Sequence, residues 1–424
     1  MKFRELHINI KIRLFINFIQ KLTQMTVFPF MAIYFSAHFG STVAGFLMIL
    51  SVVAALISSF YGGYFADKNG RKKVLLEGEK YRFITMLLMA LFNSPWLFSP
   101  SITYVLFLIN SVIVGLITPA NEAILIDVST SKTRKLLYSL NYWSINLSIA
   151  LGSMIGAFFY KDHFFVLLLS TAVASVATYY LIKLYILETN PKEDNQEITK
   201  VSLKAIFNSY KLVLKDWLFA IYLIAGIFML GLEFQLTNYI AIKLSNEFGY
   251  QSLFGSSYLQ FDGVKILGFL RMENTLLVVV LGALVLKLTD KINDKVILFI
   301  GVVLFASGFA LLSVFNSAWI LIIATLIFTT GELMYVPIHQ SLLAELIDDT
   351  MRSQYIAVNS LRVRGAMIIG SLCVTLGSFV PNWTMALIYL SFGSVSIILY
   401  SIIYLKFKDK SILQKKSDNK KEAV

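Results

Sequence analysis

The chain has few of the residues that build disulfide or metal sites, since its 424 residues include one cysteine, Cys373, and only four histidines. A disulfide framework needs paired cysteines, and the scattered histidines do not have the spacing of metal ligands. A phosphate-binding GxxxxGK[ST] sequence is also missing. We therefore expect no metal site, no cofactor and no ATPase activity, so that energy must come from an ion gradient or a substrate gradient.

Charged residues are also scarce, at 15% of the chain, whereas 57% of the residues are hydrophobic and the mean hydropathy is +0.72. A soluble globule of this length cannot bury so much apolar surface. Because about 20 apolar residues cross a bilayer, the sequence predicts an all-α integral membrane protein with twelve transmembrane spans. These spans cover 12–37, 43–65, 75–94, 101–127, 136–159, 164–187, 216–242, 271–289, 295–315, 317–345, 353–380 and 384–406.

The basic residues indicate how the chain lies in the membrane. They precede span 1 and follow spans 2 and 4, whereas the loops at 38–42, 93–101, 315–318 and 381–383 contain no Lys or Arg. Basic residues next to spans are retained on the cytoplasmic side, which predicts that both termini are cytoplasmic. The net charge of +12 then favours contact with anionic lipids of the inner leaflet. Because this charge is divided among short loops, we expect no nucleic-acid partner.

The polar segment ETNPKEDNQEITK (188–200) divides the spans into two groups of six. We expect a six-helix bundle at 1–188, a cytoplasmic linker at 189–214, a second six-helix bundle at 215–407 and a basic tail at 408–424. An internal repeat supports duplication, because four polar or proline positions recur with identical steps of 8, 7 and 7 residues. The two sets are Pro119, Asp127, Arg134, Asn141 and Pro337, Glu345, Arg352, Asn359.

The loop after span 2 carries the clearest motif, GGYFADKNGRKK (62–73), in which a glycine permits a sharp turn beside an acid and an arginine. It resembles the G-x-x-x-D-[KR]-x-G-[RK]-[KR] sequence of the major facilitator superfamily, whose twelve-span fold in two bundles the chain also matches in its layout. The resemblance implies a cytoplasmic gate in which Asp67 contacts the start of span 11, near 350–353, and Arg71 pairs with Asp127. The motif positions are Gly63, Asp67, Lys68, Gly70, Arg71 and Lys72.

Other segments resemble the proton-coupled multidrug antiporters of this superfamily, among them NYWSINLSIALGSMIGA (141–157) and GELMYVP (331–337). This resemblance implies a transporter, not an enzyme, that exports lipophilic cations in exchange for protons across a bacterial cytoplasmic membrane. We expect it to act as a monomer. Asn141 stands where the family has an acid, before a Tyr-Trp pair formed here by Tyr142 and Trp143.

Acids inside the spans are candidates for proton coupling, because an ionised side chain at mid-span costs about 3 kcal/mol and should face a cavity or a partner. Glu332, Tyr335 and His339 share one face of span 10. Glu233 lies in span 7 and Glu122 in span 4. Each acid could instead form a structural ion pair, as Glu122 could with an arginine of span 1 or span 11. For Asp127, at the membrane edge, a gate or folding role is favoured over proton transport, and His339 is more often a hydrogen-bonded helix residue than a proton relay.

Tyr142 and Trp143 could stack on a flat or cationic ligand, or they could pack against lipid. Two further functions stay open. The chain could be a proton symporter that imports a sugar, peptide or organic acid, or it could be a membrane receptor or scaffold that transports nothing. The second has no evident need for several acids inside its spans.

Overall fold

The computed structural model describes residues 8–127, 131–188, 210–253, 260–347 and 351–421. These residues are almost entirely helical, apart from a small antiparallel pair of strands, β1 (Gln251–Ser252) and β2 (Gln260–Phe261). The helices are α1 (Ile8–Val27), α2 (Met31–Phe39), α3 (Ser41–Asn69), α4 (Arg71–Leu91), α5 (Pro100–Asp127), α6 (Ser131–Tyr185), α7 (Trp217–Glu233), α8 (Tyr239–Glu247), α9 (Gly263–Thr289), α10 (Asp294–Val314), α11 (Ala318–Leu346), α12 (Arg352–Gly377) and α13 (Asn382–Lys421).

Nine helical segments of the described chain are long and apolar enough to cross a membrane. The helical, multi-pass architecture predicted from the sequence is thus confirmed, while the count of twelve spans and the orientation of the termini stay predictions. Helices α1 and α4 do not qualify as spans by composition, since they carry charged residues such as Arg13 and Glu79 along their length. Both of these side chains are buried.

Helix α6 is far longer than one membrane crossing, because 55 residues would extend about 80 Å and the hydrocarbon core is about 30 Å thick. The helix is interrupted at His163, whose backbone angles of φ −134° and ψ 31° are not helical. The break falls between predicted spans 5 and 6 and leaves two helical stretches of span length.

The described residues form two compact units, and the first comprises the parts of Met1–Val201, Leu236–Leu276 and Ser371–Phe379 that the structure describes. An apolar core holds its helices together, with aliphatic side chains contributed by α1, α3, α4, α5 and α6. Close helix contact in this unit depends on small residues. A Cβ atom at Gly152 or at Gly156 of α6 would come within 2.5 Å of a backbone carbonyl oxygen of α1, so both positions need glycine.

The second unit comprises the described parts of Ser202–Gln235, Leu277–Gly370 and Val380–Val424. Its core contains aromatic rings from α10 and α11: Phe305 contacts Phe309, Phe328 and Tyr335, with ring centroids 5.0 to 6.1 Å apart. The aromatic cluster fixes the rotation of α11 and thereby the direction of its inner face. The repeated prolines, Pro119 and Pro337, each lie inside a helix, α5 and α11 respectively.

Span 8 was predicted to begin at residue 271, but α9 begins at Gly263, and the prediction is wrong by eight residues. Lys265, Arg271 and Glu273 make this stretch look polar in the sequence, although it is helical. The start of α9 is fixed by Asp262, whose Oδ1 accepts hydrogen bonds from the backbone N–H groups of Val264 at 3.0 Å and Lys265 at 2.9 Å. As a consequence, Arg271 and Glu273 lie inside the helix and not at its end.

Asp262 also forms an ion pair with Lys161 of α6, with 3.0 Å between Oδ2 and Nζ. Burial alone would raise the pKa of Asp262, but the N–H group of Lys265 and the ammonium group of Lys161 outweigh burial and lower the pKa below its ordinary value. A lowered pKa means that the carboxylate stabilises the fold above the unfolded pKa of about 3.9, and that this stabilisation is lost as the pH falls through the folded value.

We therefore expect Asp262→Asn to lower the free energy of unfolding by about 1 kcal/mol at pH 7, since Asn keeps the cap but loses the charge and Lys161 is half-exposed. Thermal unfolding of the purified protein in detergent would measure the difference. The gap between wild type and variant should close at a pH below the pKa of Asp262. A gap of equal size at both pH values would contradict the assignment.

Candidate functional site

The motif GGYFADKNGRKK (62–73) lies at the junction of α3 and α4. Helix α3 ends at Asn69, and Gly70 has a φ of 88°, which is a left-handed conformation that favours glycine. Arg71, the first residue of α4, forms an ion pair with Asp127 at the end of α5. The Nζ atom of Lys72 donates to the carbonyl oxygen of Lys183 at 2.9 Å. The motif thus joins α4 to the ends of α5 and α6.

The other motif residues lie on α3: Asp67 and Lys68 are exposed, and Gly63 is half-buried. The predicted contact of Asp67 with the start of span 11 falls partly outside the described residues, which omit 348–350. Most of the predicted linker, at 189–209, lies outside them as well. Both therefore stay predictions.

Glu188 is also part of this junction, although no sequence motif indicated it. Its carboxylate accepts hydrogen bonds from the backbone N–H groups of Arg71 at 3.1 Å and Lys72 at 2.9 Å. A Cβ atom at position 70 would lie 2.7 Å from Glu188 Oε2, so Gly70 also makes room for the carboxylate. Free N–H groups and the helix dipole favour an anion at a helix N-terminus. Glu188 is 117 residues from Arg71 in the sequence, and no local pattern indicates the contact.

Replacing Glu188 by Ala removes both hydrogen bonds and the charge at the start of α4, and we expect it to lower the free energy of unfolding by about 1 to 2 kcal/mol. Amide hydrogen exchange should become faster at Arg71 and Lys72 and stay unchanged in the middle of α4. Asp162→Ala, at an exposed acid elsewhere in the same unit, is the matched control. Equal effects of the two changes would show that Glu188 does not hold the start of α4.

The second unit brings together three of the predicted site residues. Tyr335 of α11 is 4% exposed, and both Glu332 of the same helix and Glu233 of α7 interact electrostatically with its hydroxyl group. Glu332 is half-buried, whereas Glu233 is exposed at the end of α7, where a short 3-10 turn at Phe234–Thr237 follows. Two carboxyl groups from different helices thus lie near one buried tyrosine.

His339 lies one turn beyond Tyr335 in a closely packed polar cluster. Its ring stacks on Tyr222 with centroids 4.3 Å apart, and Nδ1 lies 2.9 Å from the hydroxyl oxygen of Tyr400. The guanidinium group of Arg362 contacts Nε2. Because a guanidinium group can only donate, Nε2 acts as an acceptor and the imidazole is neutral. Both ring nitrogens of His339 therefore have partners, and its role in transport stays a prediction.

Glycine is required beside this cluster, since a Cβ atom at Gly226 of α7 would lie 2.6 Å from Cδ of Arg362 and 3.0 Å from Cε1 of His339. Gly226 therefore permits α7 to approach α11 and α12 closely. Arg362 also interacts electrostatically with Tyr335. The two acids, the tyrosine, the histidine and the arginine thus belong to one polar region of the second unit.

The predicted residues of spans 4 and 5 lie in the first unit. Glu122 is exposed on α5, while the preceding residue, Asn121, accepts a hydrogen bond from the fully buried Arg13. Asn141 accepts one from Asn17 of α1 at 3.2 Å. Tyr142 and Trp143 are more than half-exposed, which fits either a ligand or lipid against their rings. Their roles stay predictions.

Several buried or half-buried charges inside the described helices were not predicted from the sequence, among them Glu79, Arg82 and Arg271. Glu79 and Arg82 of α4 form an ion pair at 3.1 Å with side chains only 1% and 7% exposed, and Gln20 of α1 donates to Glu79 at 2.7 Å. Arg271 of α9 donates to Ser153 of α6 at 2.9 Å. A signal was present for the pair, because opposite charges three residues apart lie on one helix face.

Comparison with known proteins places these features in a family. The sequence profile of the Major Facilitator Superfamily matches residues 13–286 and 262–423. A "Na(+), Li(+), K(+)/H(+) antiporter" of Planococcus maritimus is 31% identical over 415 residues, which cover 96% of this chain and 97% of that protein. "Multidrug resistance protein 2" of Bacillus subtilis is 24% identical over a region that covers 61% of this chain and 60% of that protein.

Among solved structures, a "peptide transporter POT in complex with sulfate" superposes with a TM-score of 0.71 and 13% identity, covering 96% of this chain and 95% of that chain. At this identity the likeness concerns the fold alone. All these relatives are transporters, which identifies the protein as a multi-pass membrane transporter and not an enzyme. The chain belongs to the Major Facilitator Superfamily.

Proposed function

We propose that the protein is a proton-coupled antiporter that exports cations from a bacterial cytoplasm by alternating access. The observation that carries this proposal is the position of Glu332 and Glu233, two carboxyl groups from different helices beside the buried Tyr335. A carboxyl group inside a span can hold a proton or, when ionised, a cation, and competition between the two is the minimum chemistry of an antiporter. The guanidinium group of Arg362, which also interacts electrostatically with Tyr335, can offset one negative charge of this region.

The proposed cycle follows from this competition. Protons that enter from outside neutralise Glu332 and also Glu233 or Glu122, and the bound cation leaves. Release of the protons to the inside restores the charged carboxylates, which bind the next cation. The ion pair of Arg71 with Asp127 serves as part of the cytoplasmic gate in this cycle. The proposed transporter acts as a monomer, and its basic residues contact anionic lipids of the inner leaflet.

Lipophilic organic cations are the first proposed substrate class. The motifs in 65–72, 141–157 and 331–337 resemble the multidrug antiporter LmrP, and the relative named for multidrug resistance in Bacillus subtilis supports this class. The exposed rings of Tyr142 and Trp143 supply faces on which an organic cation could stack.

Alkali-metal cations are a second candidate class, which a specific observation favours. The relative named as a sodium, lithium and potassium antiporter matches nearly the whole chain, at 31% identity. Carboxylate oxygens are suitable ligands for hard cations, and both substrate classes need the same exchange against protons. The coupling to protons is therefore the same for both substrate classes, which differ only in the residues that must line the binding site.

The test uses inverted membrane vesicles from cells that produce the protein, with vesicles from cells without it as the control. Respiration acidifies the vesicle interior, and the pH gradient is followed by the quenching of acridine orange. Addition of tetraphenylphosphonium, NaCl or KCl should dissipate the gradient only in vesicles that contain the protein. The cation that acts at the lowest concentration then identifies the substrate class.

Collapse of the pH gradient with nigericin should abolish accumulation of labelled tetraphenylphosphonium in the same vesicles. If none of the three cations dissipates the gradient, antiport of cations is excluded. If instead a peptide, sugar or organic acid moves together with protons, the symport alternative replaces the proposal.

A further inference from the structure

Helix α9 contains an acid in its interior that neither the motifs nor the proposed site uses. Glu273 lies ten residues after the start of α9 at Gly263 and sixteen before its end at Thr289. At a rise of 1.5 Å per residue, these separations are about 15 Å and 24 Å. Because α9 is one of the helices long and apolar enough to span a membrane, Glu273 falls well inside the hydrocarbon region. It was hidden in the sequence because the span was expected to begin at residue 271.

The carboxyl group of Glu273 is poorly supplied with partners. Its Oε2 atom is buried and has no hydrogen-bond partner among the described residues. Within the same part of the chain, no lysine, arginine or histidine lies within ion-pair distance of it, and no charged side chain interacts with it electrostatically. In this respect Glu273 differs from Glu79 and Asp262 of the same unit, each of which has a basic partner.

The basic residues around α9 are directed elsewhere. Arg271 is two positions away, on another face of the helix, and its guanidinium group contacts Ser153 at 2.9 Å and the sulfur atom of Met25 at 3.8 Å. Lys21 of α1 interacts electrostatically with Arg271. At the beginning of α9, Lys161 pairs with Asp262. Arg271 and Lys161 thus make their own contacts, and the interaction of Lys21 with Arg271 is a repulsion between two cations.

Burial without a counter-charge disfavours the ionised form of a carboxyl group, whereas a cation at the site favours it. In such surroundings a bound proton and a bound cation are two alternative ways to neutralise the carboxyl group. A purely structural acid would instead be matched by a fixed basic partner, because an unmatched buried charge destabilises the fold by several kcal/mol.

We propose that Glu273 is a proton-exchange site of this transporter, additional to Glu332 and Glu233, at which a proton and a monovalent cation compete for one carboxylate. This inference rests on the proposed antiport. It adds one proton, that of Glu273, to the protons that a cation displaces when it binds. The proton of the Glu273 carboxyl group leaves to water as the cation binds, and no covalent bond other than O–H is broken or formed.

Binding of a cation to the purified protein in detergent, measured by calorimetry between pH 6 and 9, tests the proposal. The probes are tetraphenylphosphonium and sodium ion. When protons compete, the logarithm of the dissociation constant changes with pH with a slope equal to the number of protons displaced. Glu273→Gln, which resembles the protonated acid but cannot ionise, should reduce this slope by about one and weaken binding at high pH by at least about tenfold.

The matched control is Asp290→Asn, at an exposed acid immediately after α9, which should leave the slope unchanged. Gel filtration and thermal unfolding establish that Glu273→Gln is folded. If it is not, Glu273→Asp keeps a titratable carboxyl group, and it should keep the slope and shift the pH range in which binding changes. A wild-type slope in Glu273→Gln, or an unshifted range in Glu273→Asp, overturns the assignment of Glu273. An absence of pH-dependent cation binding in the wild-type protein would overturn the proposed antiport itself.

Discussion

Glu332→Gln is expected to abolish cation transport driven by a pH gradient while the protein still folds. The glutamine side chain has nearly the same shape, but it neither releases a proton nor carries a charge. Glu332 is half-buried in α11 and acts on Tyr335 together with Glu233, so the change removes one of the two carboxyl groups at that point. We expect the rate in inverted vesicles to fall at least about tenfold, which corresponds to about 1.4 kcal/mol.

The matched control for this prediction is Glu345→Gln, at an exposed acid of the same helix thirteen residues away, or about 20 Å. It should transport at a rate within about twofold of wild type, a difference of about 0.4 kcal/mol. If Glu332 serves proton coupling more than cation binding, Glu332→Gln should lose most of the transport that a pH gradient drives. The same variant should keep more of the exchange of labelled for unlabelled cation, which needs no gradient. Wild-type rates in Glu332→Gln would remove the residue from the mechanism.

The sequence predicted the helical, multi-pass fold because the hydrophobic runs of a membrane protein are long and need no tertiary information. It failed where polar residues lie inside a helix. The start of α9 was placed at residue 271 because Lys265 and the residues after it interrupt the apolar pattern, yet α9 begins at Gly263. A window of hydropathy cannot tell a polar residue that is paired inside a protein from one that lies in water.

Residues of the candidate site were predictable only where a sequence motif or a helical spacing indicated them. Tyr335 and His339 were placed on one face of a helix by spacing alone, and the structure has both of them buried. Glu188 and Tyr400 were beyond reach, because each meets its partner across 61 residues or more of sequence. Such contacts arise from the packing of helices, and a single sequence contains no record of which helices are neighbours.

The buried pair of Glu79 and Arg82 gives the largest expected effect on stability. Glu79 is 1% exposed and receives hydrogen bonds from Arg82 at 3.1 Å and from Gln20 at 2.7 Å. The fully buried Arg13 of α1 also interacts electrostatically with Glu79. One carboxylate therefore balances two buried guanidinium groups, and α4 can pass through an apolar bundle in spite of its charges.

Replacing Glu79 by Leu leaves these guanidinium groups without their counter-charge, and we expect the free energy of unfolding to fall by about 3 to 5 kcal/mol. The same helix offers the control, since Glu77 and Lys80 have the same spacing but are more than half-exposed and 3.7 Å apart; Glu77→Leu should cost no more than about 1 kcal/mol. In Glu79→Leu with Arg82→Met, the pair is replaced by apolar groups, so much of the loss should be recovered. Thermal unfolding of the wild type, of Glu79→Leu, of Arg82→Met and of the double variant gives the coupling energy. Additive losses in the double variant would mean that the pair does not stabilise α4, and that Gln20 or Arg13 is the partner that Glu79 needs.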